Sequence, residues 1–319
     1  MPDLFSLADL CTPWCVHVAA TLRVAQHIEA GRAQIAEIAE AAGADADALG
    51  RVLRHLVSQG VFDEPSPGRF ALNETACGFL EPGLLLGLDL DSFGGRMAYP
   101  WSTLLKAVRT GKPAYDQIFG RSFWDDLEAN PEIAVQFDEL MGPGHGTPDP
   151  EVLLDPADWA SVKTVVDVGG GTGALLSEIL RAHPHVHGTL VELPRVAARA
   201  TFGERATVVA QSFFDPLPAG ADVYVLKSVV SDWPDAEARR ILARCAEAAR
   251  PSGRVVVFTS ADPGKPASPE LLMLVLVGGK GRSLEEFREL AASAGLRVTA
   301  YGHQPSGRGI VECRPVERD

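Results

Sequence analysis

Val165-Val166-Asp167-Val168-Gly169-Gly170-Gly171-Thr172-Gly173 is the stretch on which the fold of this chain turns. A β-branched strand carrying one acid breaks into glycines, and a helix with one apolar face, Ala174 to Arg181, follows. The turn from strand to helix is sharp. Glycine there lets a ligand lie against bare backbone, while the free N–H groups of the helix start point at it. Gly169, Gly171 and Ala174 also satisfy the G-x-G-x-x-G/A spacing of dinucleotide sites, so the run alone predicts a nucleotide pocket without choosing the nucleotide.

Its neighbours narrow the choice. Asp167 lies two residues before the first glycine, where it would repel a pyrophosphate but hold an ammonium group. That favours an amino-acid-bearing nucleotide such as S-adenosylmethionine. A second strand, His187 to Val191, runs into Glu192, about twenty residues on, where an acid accepts hydrogen bonds from ribose hydroxyls; a nicotinamide cofactor would use an acid there too. Ala206 to Ala210 predicts a third strand leading into Gln211-Ser212-Phe213-Phe214-Asp215, and Asp222 to Leu226 a fourth that ends at Lys227 and Ser228. A helix from Ala236 to Arg250, a strand from Arg254 to Thr259, a helix from Leu284 to Ala294 and two closing strands, Leu296 to His303 and Gly309 to Pro315, complete the pattern. Alternating strands and helices closed by a hairpin predict an α/β, seven-stranded Rossmann-like methyltransferase sheet and not a repeated dinucleotide half.

With Glu192-Leu193-Pro194, Ser212-Phe213-Phe214, Leu226-Lys227, Asp232-Trp233 and Gly278-Gly279-Lys280 added to the glycine run, the chain resembles, over nearly its full length, the small-molecule O-methyltransferases of plant phenolic and actinobacterial polyketide metabolism. The resemblance implies S-adenosylmethionine as cofactor and a hydroxyl on an aromatic or polyketide-like small molecule of secondary metabolism as acceptor. It implies that Glu192 binds ribose, that Ser212 and Phe213 frame the adenine with Ser212 in place of the usual acid, and that Lys227 lies beside the cofactor. Asp167, Gly169 and Gly171 complete that set.

The chain departs from the family at its catalytic positions. Four residues after the lysine, where relatives carry histidine, stands Ser231. The acid after Gly-Gly-Lys is replaced by Gly281, and the other supporting acid would fall at Phe258-Thr259. Serine of ordinary pKa is no base at neutral pH. Three readings stay open: an acidic phenol or enol merely positioned by Ser231; a proton taken by Asp232 or His145; or a decarboxylase, hydroxylase or cyclase that keeps S-adenosylmethionine as a bound cation. Methyl transfer needs no metal, and no cluster of carboxylates or histidines is placed in the sequence to bind one.

The chain has 319 residues, 46% hydrophobic and 22% charged, enough for two core-bearing domains. The divisions expected are 1–90, a winged-helix dimerisation domain; 91–150, a helical connector lining the substrate; and 151–319, the cofactor domain. A net charge of −13 argues against nucleic acid and anionic membrane as partners. The apolar run Leu271 to Val277 is too short to span a bilayer. Asp3 and Asp9 occupy the place of a basic leader region, and five scattered cysteines suit a reducing cytoplasm. Cys11 and Cys15 share a helix face, but no partner follows at zinc spacing, so core packing and no metal site are expected.

Ile35 to Gly43, Asp45 to Val57, Gly60-Val61-Phe62 and Arg69 to Leu72 read as a winged helix-turn-helix. Its acids, Glu37, Glu40, Asp45, Asp47, Asp63, Glu64 and Glu74, outweigh Arg51, Arg54 and Arg69, against the sign a phosphate surface needs; a DNA-binding, cofactor-sensing regulator is the alternative from a different class. The resemblance makes this module a dimerisation domain, with one apolar helix from Leu4 to Ile28 against a partner subunit, hence a homodimer. In the connector, aromatic-rich helices from Tyr99 to Val108 and from Ser122 to Met141 place Trp101, Phe123, Trp124, Phe137 and Met141 near a flat acceptor, and Gly142-Pro143-Gly144-His145-Gly146-Thr147-Pro148 predicts a hinge.

Overall fold

Strands β3 (Thr164–Val168), β4 (His187–Glu192), β5 (Ala206–Ala210), β6 (Val223–Leu226) and β7 (Arg254–Thr259) form the parallel part of a seven-stranded sheet in the computed structural model, which describes residues 3–141, 148–259, 270–305 and 307–316. β8 (Leu296–His303) and β9 (Gly309–Pro315) close it as an antiparallel hairpin, giving the order β5-β4-β3-β6-β7-β9-β8. The α/β reading of the sequence holds. Successive side chains of β3 feed opposite faces: Val165 joins one core with Leu176, Ile179 and Val223, while Val166 and Val168 join the other with Tyr224, Ile241 and Phe287. Both faces are buried, which is why these strands read as continuous Val/Ile/Leu runs. Chain order reverses direction at β3, between β4 on one side and β6 on the other, and in open α/β sheets ligands bind outside the carboxyl ends of strands at such a point.

The chain divides into two compact units, Met1–Trp101 with Asn130–Leu140, and Ser102–Ala129 with Met141–Asp319. In the first, α4 (Ile35–Ala42), α5 (Ala46–Ser58) and the hairpin β1 (Phe62–Ser66) and β2 (Arg69–Leu72) build the expected winged helix. Glu37 accepts the Gln34 N–H and Asp45 accepts the Ala48 N–H, supplying partners for donors that a helix start leaves bare. Leu49, Leu53 and Leu56 of α5 meet Ile38, Phe62 and Phe70 in the core.

The single helix expected from Leu4 to Ile28 is in fact three: α1 (Leu4–Leu7), α2 (Cys11–Thr21) and α3 (Val24–Glu29). Asp9 takes the N–H groups of Cys11 and Thr12 and starts α2, and Arg23, in the left-handed region at φ 53°, separates α2 from α3. Leu4–Thr21 nonetheless has the mean hydropathy, 1.2 over 18 residues, of a membrane-crossing segment. The connector is also more broken than expected. Tyr99–Thr103 is a 3₁₀ turn ahead of Leu104–Thr110, and Asn130 before Pro131 splits Phe123–Ala129 from Pro131–Met141, because the residue preceding proline is pushed out of the helical region. Of the expected hinge at 142–148, residues 142–147 lie outside the described residues.

Candidate active site

The glycine turn after β3 is built over Asp167. This residue is 1% exposed, and among the described residues neither of its carboxylate oxygens has a well-formed hydrogen bond, the Leu176 N–H making a looser contact. Burial first, and then the charge of Glu192, pushes its carboxyl up to about 7, with Lys227 pulling the other way. Gly170 lies so close above it that any side chain would enter the carboxylate. Gly171 has φ 61° and open space where a Cβ would stand, so glycine is required there by the backbone, and the space is left for a ligand.

Glu192, the last residue of β4, accepts the Gly171 N–H at 3.0 Å through Oε2 and the Leu193 N–H at 2.7 Å through Oε1. A carboxylate offers about four acceptor sites, so an acid fixed in this way can still receive hydroxyls. Phe213 sets its ring against Gly169, where a Cβ would be 3.3 Å from Cε1. The Ser212 hydroxyl accepts the Phe214 N–H at 3.2 Å. Lys227, just past β6, is half-buried; burial first, and then Arg308, holds its ammonium below the ordinary lysine value, opposed by Asp167. The fold thus brings together at the carboxyl ends of β3, β4 and β6 the residues expected to hold a cofactor. A buried acid lacking a well-formed hydrogen bond, under a glycine turn, is the complement of an ammonium group, and an acid beside an aromatic ring is that of a nucleoside; S-adenosylmethionine fits the set.

Ser231 and Asp232 sit in a 3₁₀ turn, Val230–Asp232. The Ser231 hydroxyl lies 3.4 Å from Asp232 Oδ1. Pro234 holds the N-cap of Asp235–Ala248, so Asp232 does not cap that helix. Instead burial, helped by the charge of Glu270 and opposed by the Ser231 hydroxyl, pushes its carboxyl up to about 7. Ser231, Phe258, Thr259 and Gly281, the positions that depart from the resembled family, all line one cavity of about 560 Å3, together with Glu270 and Arg308. His145 lies outside the described residues.

Two residues, Trp233 in a quoted motif and Arg282 just past another, carry more of the site than their sequence positions revealed. Arg282, 5% exposed, donates to the carbonyls of Val230 (2.9 Å), Trp233 (2.8 Å) and Lys280 (3.3 Å) and to Asp235 Oδ1 (2.9 Å), gripping the Ser231–Asp232 turn from both ends. Trp233 links the aromatic groups: its ring lies 5.9 Å from Phe213, edge-on, and 5.7 Å from Trp124, stacked. Trp124 meets Phe123 edge-on, and Phe123 itself is buried against Tyr115. Trp101, 44% exposed, and Phe137, packed on Phe93, belong to the first unit, and Met141 ends the helix Pro131–Met141.

Comparison with known proteins matches residues 101–297 to the O-methyltransferase domain and residues 5–82 to the O-methyltransferase dimerisation domain. The chain is 47% identical to a 2,7-dihydroxy-5-methyl-1-naphthoate 7-O-methyltransferase of Streptomyces carzinostaticus, covering 97% of this chain and 96% of the relative. It is 38% identical to aclacinomycin 10-hydroxylase RdmB of Streptomyces purpurascens, covering 93% and 84%. A crystal structure of an O-methyltransferase of neocarzinostatin biosynthesis, in complex with S-adenosylmethionine and 2-hydroxy-5-methyl naphthoic acid, superposes with a TM-score of 0.87 at 44% identity over 99% of both chains.

Proposed function

The chain belongs to the O-methyltransferase family that pairs a dimerisation domain with a catalytic domain, and from that premise we propose that it methylates a ring hydroxyl of a fused-ring hydroxyaromatic acid of secondary metabolism. The observation that carries this reading is the buried Asp167 carboxylate under the glycine turn, in one unit with Glu192 and with the run of rings from Phe213 through Trp233 to Trp124. S-adenosylmethionine, when bound, supplies an electrophilic methyl group on a sulfonium centre. Asp167 holds the ammonium end and Glu192 the ribose, with Phe213 against the base; Gly169 and Gly171 keep the backbone open, and Ser212 and Lys227 flank the same pocket.

A displacement needs the acceptor oxygen held in line and stripped of its proton. Trp124 and Trp233 give a flat ring a face to stack on, with Phe123 edge-on behind Trp124. Asp232 takes the proton: a buried carboxylate at about 7 is half ionised at neutral pH, where a general base works best. Ser231 positions, and Arg282 holds the turn that carries both. The test is incubation with methyl-labelled cofactor and a panel of hydroxynaphthoates. Labelled ether with equimolar S-adenosylhomocysteine is expected; its absence across the panel overturns the assignment.

One observation favours a second reading, a non-methylating enzyme on the same scaffold. Ser231 and Gly281 stand where histidine and acid are expected, and one relative, at 38% identity, is named a hydroxylase. Product formation without S-adenosylhomocysteine would establish it.

The apolar residues Leu4, Phe5, Leu7 and Leu10 are 68–87% exposed within one chain, a surface that a second copy would cover, and we read the protein as a cytoplasmic homodimer with no part for DNA or membrane. A light-scattering mass of one chain at micromolar concentration would overturn the dimer.

A further inference from the structure

Two sulfurs and an imidazole converge in the first unit. Cys11 and Cys15 stand one turn apart on α2, with their Sγ atoms 3.9 Å from each other. α5 packs against α2 and brings His55, and the two sulfurs and a His55 ring nitrogen all lie within 4.8 Å of one another. The Thr12 hydroxyl hydrogen-bonds His55 Nε2 at 2.9 Å and fixes the ring beside the sulfurs. Cys15 packs in the core of this unit, as expected, and Cys11 is exposed; the imidazole lies far along the chain and reaches them through the packing of two helices.

The dimensions are those of a metal site. Tetrahedral Zn2+ with bonds of about 2.3 Å to sulfur sets two sulfurs about 3.8 Å apart, the separation found here. The imidazole needs to close by about an ångström to bond at about 2.0 Å, within reach of side-chain rotation. The surrounding charge has the matching sign. Asp9 accepts the N–H groups of Cys11 (2.9 Å) and Thr12 (3.1 Å), adding a carboxylate to the same end of α2.

We propose that Cys11, Cys15 and His55 bind a thiophilic divalent cation, Zn2+, with a fourth position open to water. Two metal–sulfur bonds and one metal–nitrogen bond form, and the two thiol protons pass to solvent. The ion ties α2 to α5 within the dimerisation domain, and the site is independent of the methyl-transfer assignment.

The experiment titrates Co2+ into reduced, desalted full-length protein under nitrogen, in a Cys77→Ser background. Expected are a thiolate-to-cobalt absorption and a tetrahedral visible band saturating at one ion per chain, abolished by Zn2+, and a Zn2+-induced rise in melting temperature. Cys11→Ser, a change at an exposed position, removes the charge-transfer band; Cys15→Ala does the same, and His55→Gln weakens binding at least tenfold. No charge-transfer band in the parent protein overturns the proposal. So does a band that survives Cys11→Ser, or a reduced protein that binds nothing and forms only a Cys11–Cys15 disulfide on oxidation.

Discussion

A Cβ on Gly170 would stand 2.3 Å from Asp167 Oδ2, so the glycine turn passes over the carboxylate with no room for a side chain between them. Cofactor affinity is therefore tied to the ionisation of Asp167. In the free protein this carboxyl, at about 7, holds a proton below neutrality that a cofactor ammonium must displace. Affinity should fall by up to about tenfold per pH unit below 7, and fall again above about 8 as the amine loses its own proton. Calorimetric titration across this range checks the profile; flat affinity between pH 5.5 and 7 would sink it. Because the folded pKa is raised, Asp167 costs stability as pH rises from about 4 through 7, so Asp167→Asn should melt higher at pH 7.5 in the absence of cofactor while binding the cofactor more weakly.

Asp232 gives the reaction its own pH limb. With the carboxyl at about 7, kcat/KM should climb through neutrality and level off above it. Asp232→Asn is expected to lower kcat by about 10² to 10⁴ and flatten the limb, whereas Ser231→Ala should cost less than about tenfold. Full turnover by Asp232→Asn would remove the residue from the mechanism.

Arg282 donates to three carbonyls and one carboxylate from a buried position. Arg282→Ala leaves those acceptors dry and should lower the unfolding free energy by about 3 kcal/mol, read by urea denaturation. Arg282→Lys restores charge without the fork. It should keep most of the stability yet lose kcat more than it raises KM, since the turn bearing Asp232 loosens.

Glu192 bonds the glycine turn at Gly171 and the chain at Leu193. Glu192→Ala should weaken S-adenosylhomocysteine binding by about 10- to 100-fold, and Gly171→Arg, which fills the space beside the turn, should abolish it. Unchanged calorimetric affinity in either variant would place the nucleoside elsewhere.

The sheet was legible in the sequence because strands buried on both faces announce themselves as apolar runs, and the glycine turn because few other uses explain Asp167 beside it. The N-terminal segment reads as one helix because hydropathy carries through Asp9 and Arg23, whereas the breaks are made by a side-chain cap and a single left-handed residue. Ser231, Gly281 and Thr259 looked like three separate losses, and only the fold shows them lining one space. Arg282 carried no signal of its own, because a charged residue after Gly-Gly-Lys reads as surface until its carbonyl partners are known.

β9 is made last of the strands yet sits inside the sheet, between β7 and β8. During synthesis the ladder groups of Val255, Val256 and Val257 wait for Glu312, Val311 and their neighbours, and β8 waits for the same strand. An open valine-rich edge invites pairing with other chains. The nascent protein is thus most exposed to aggregation in the interval between translating β7 and docking β9.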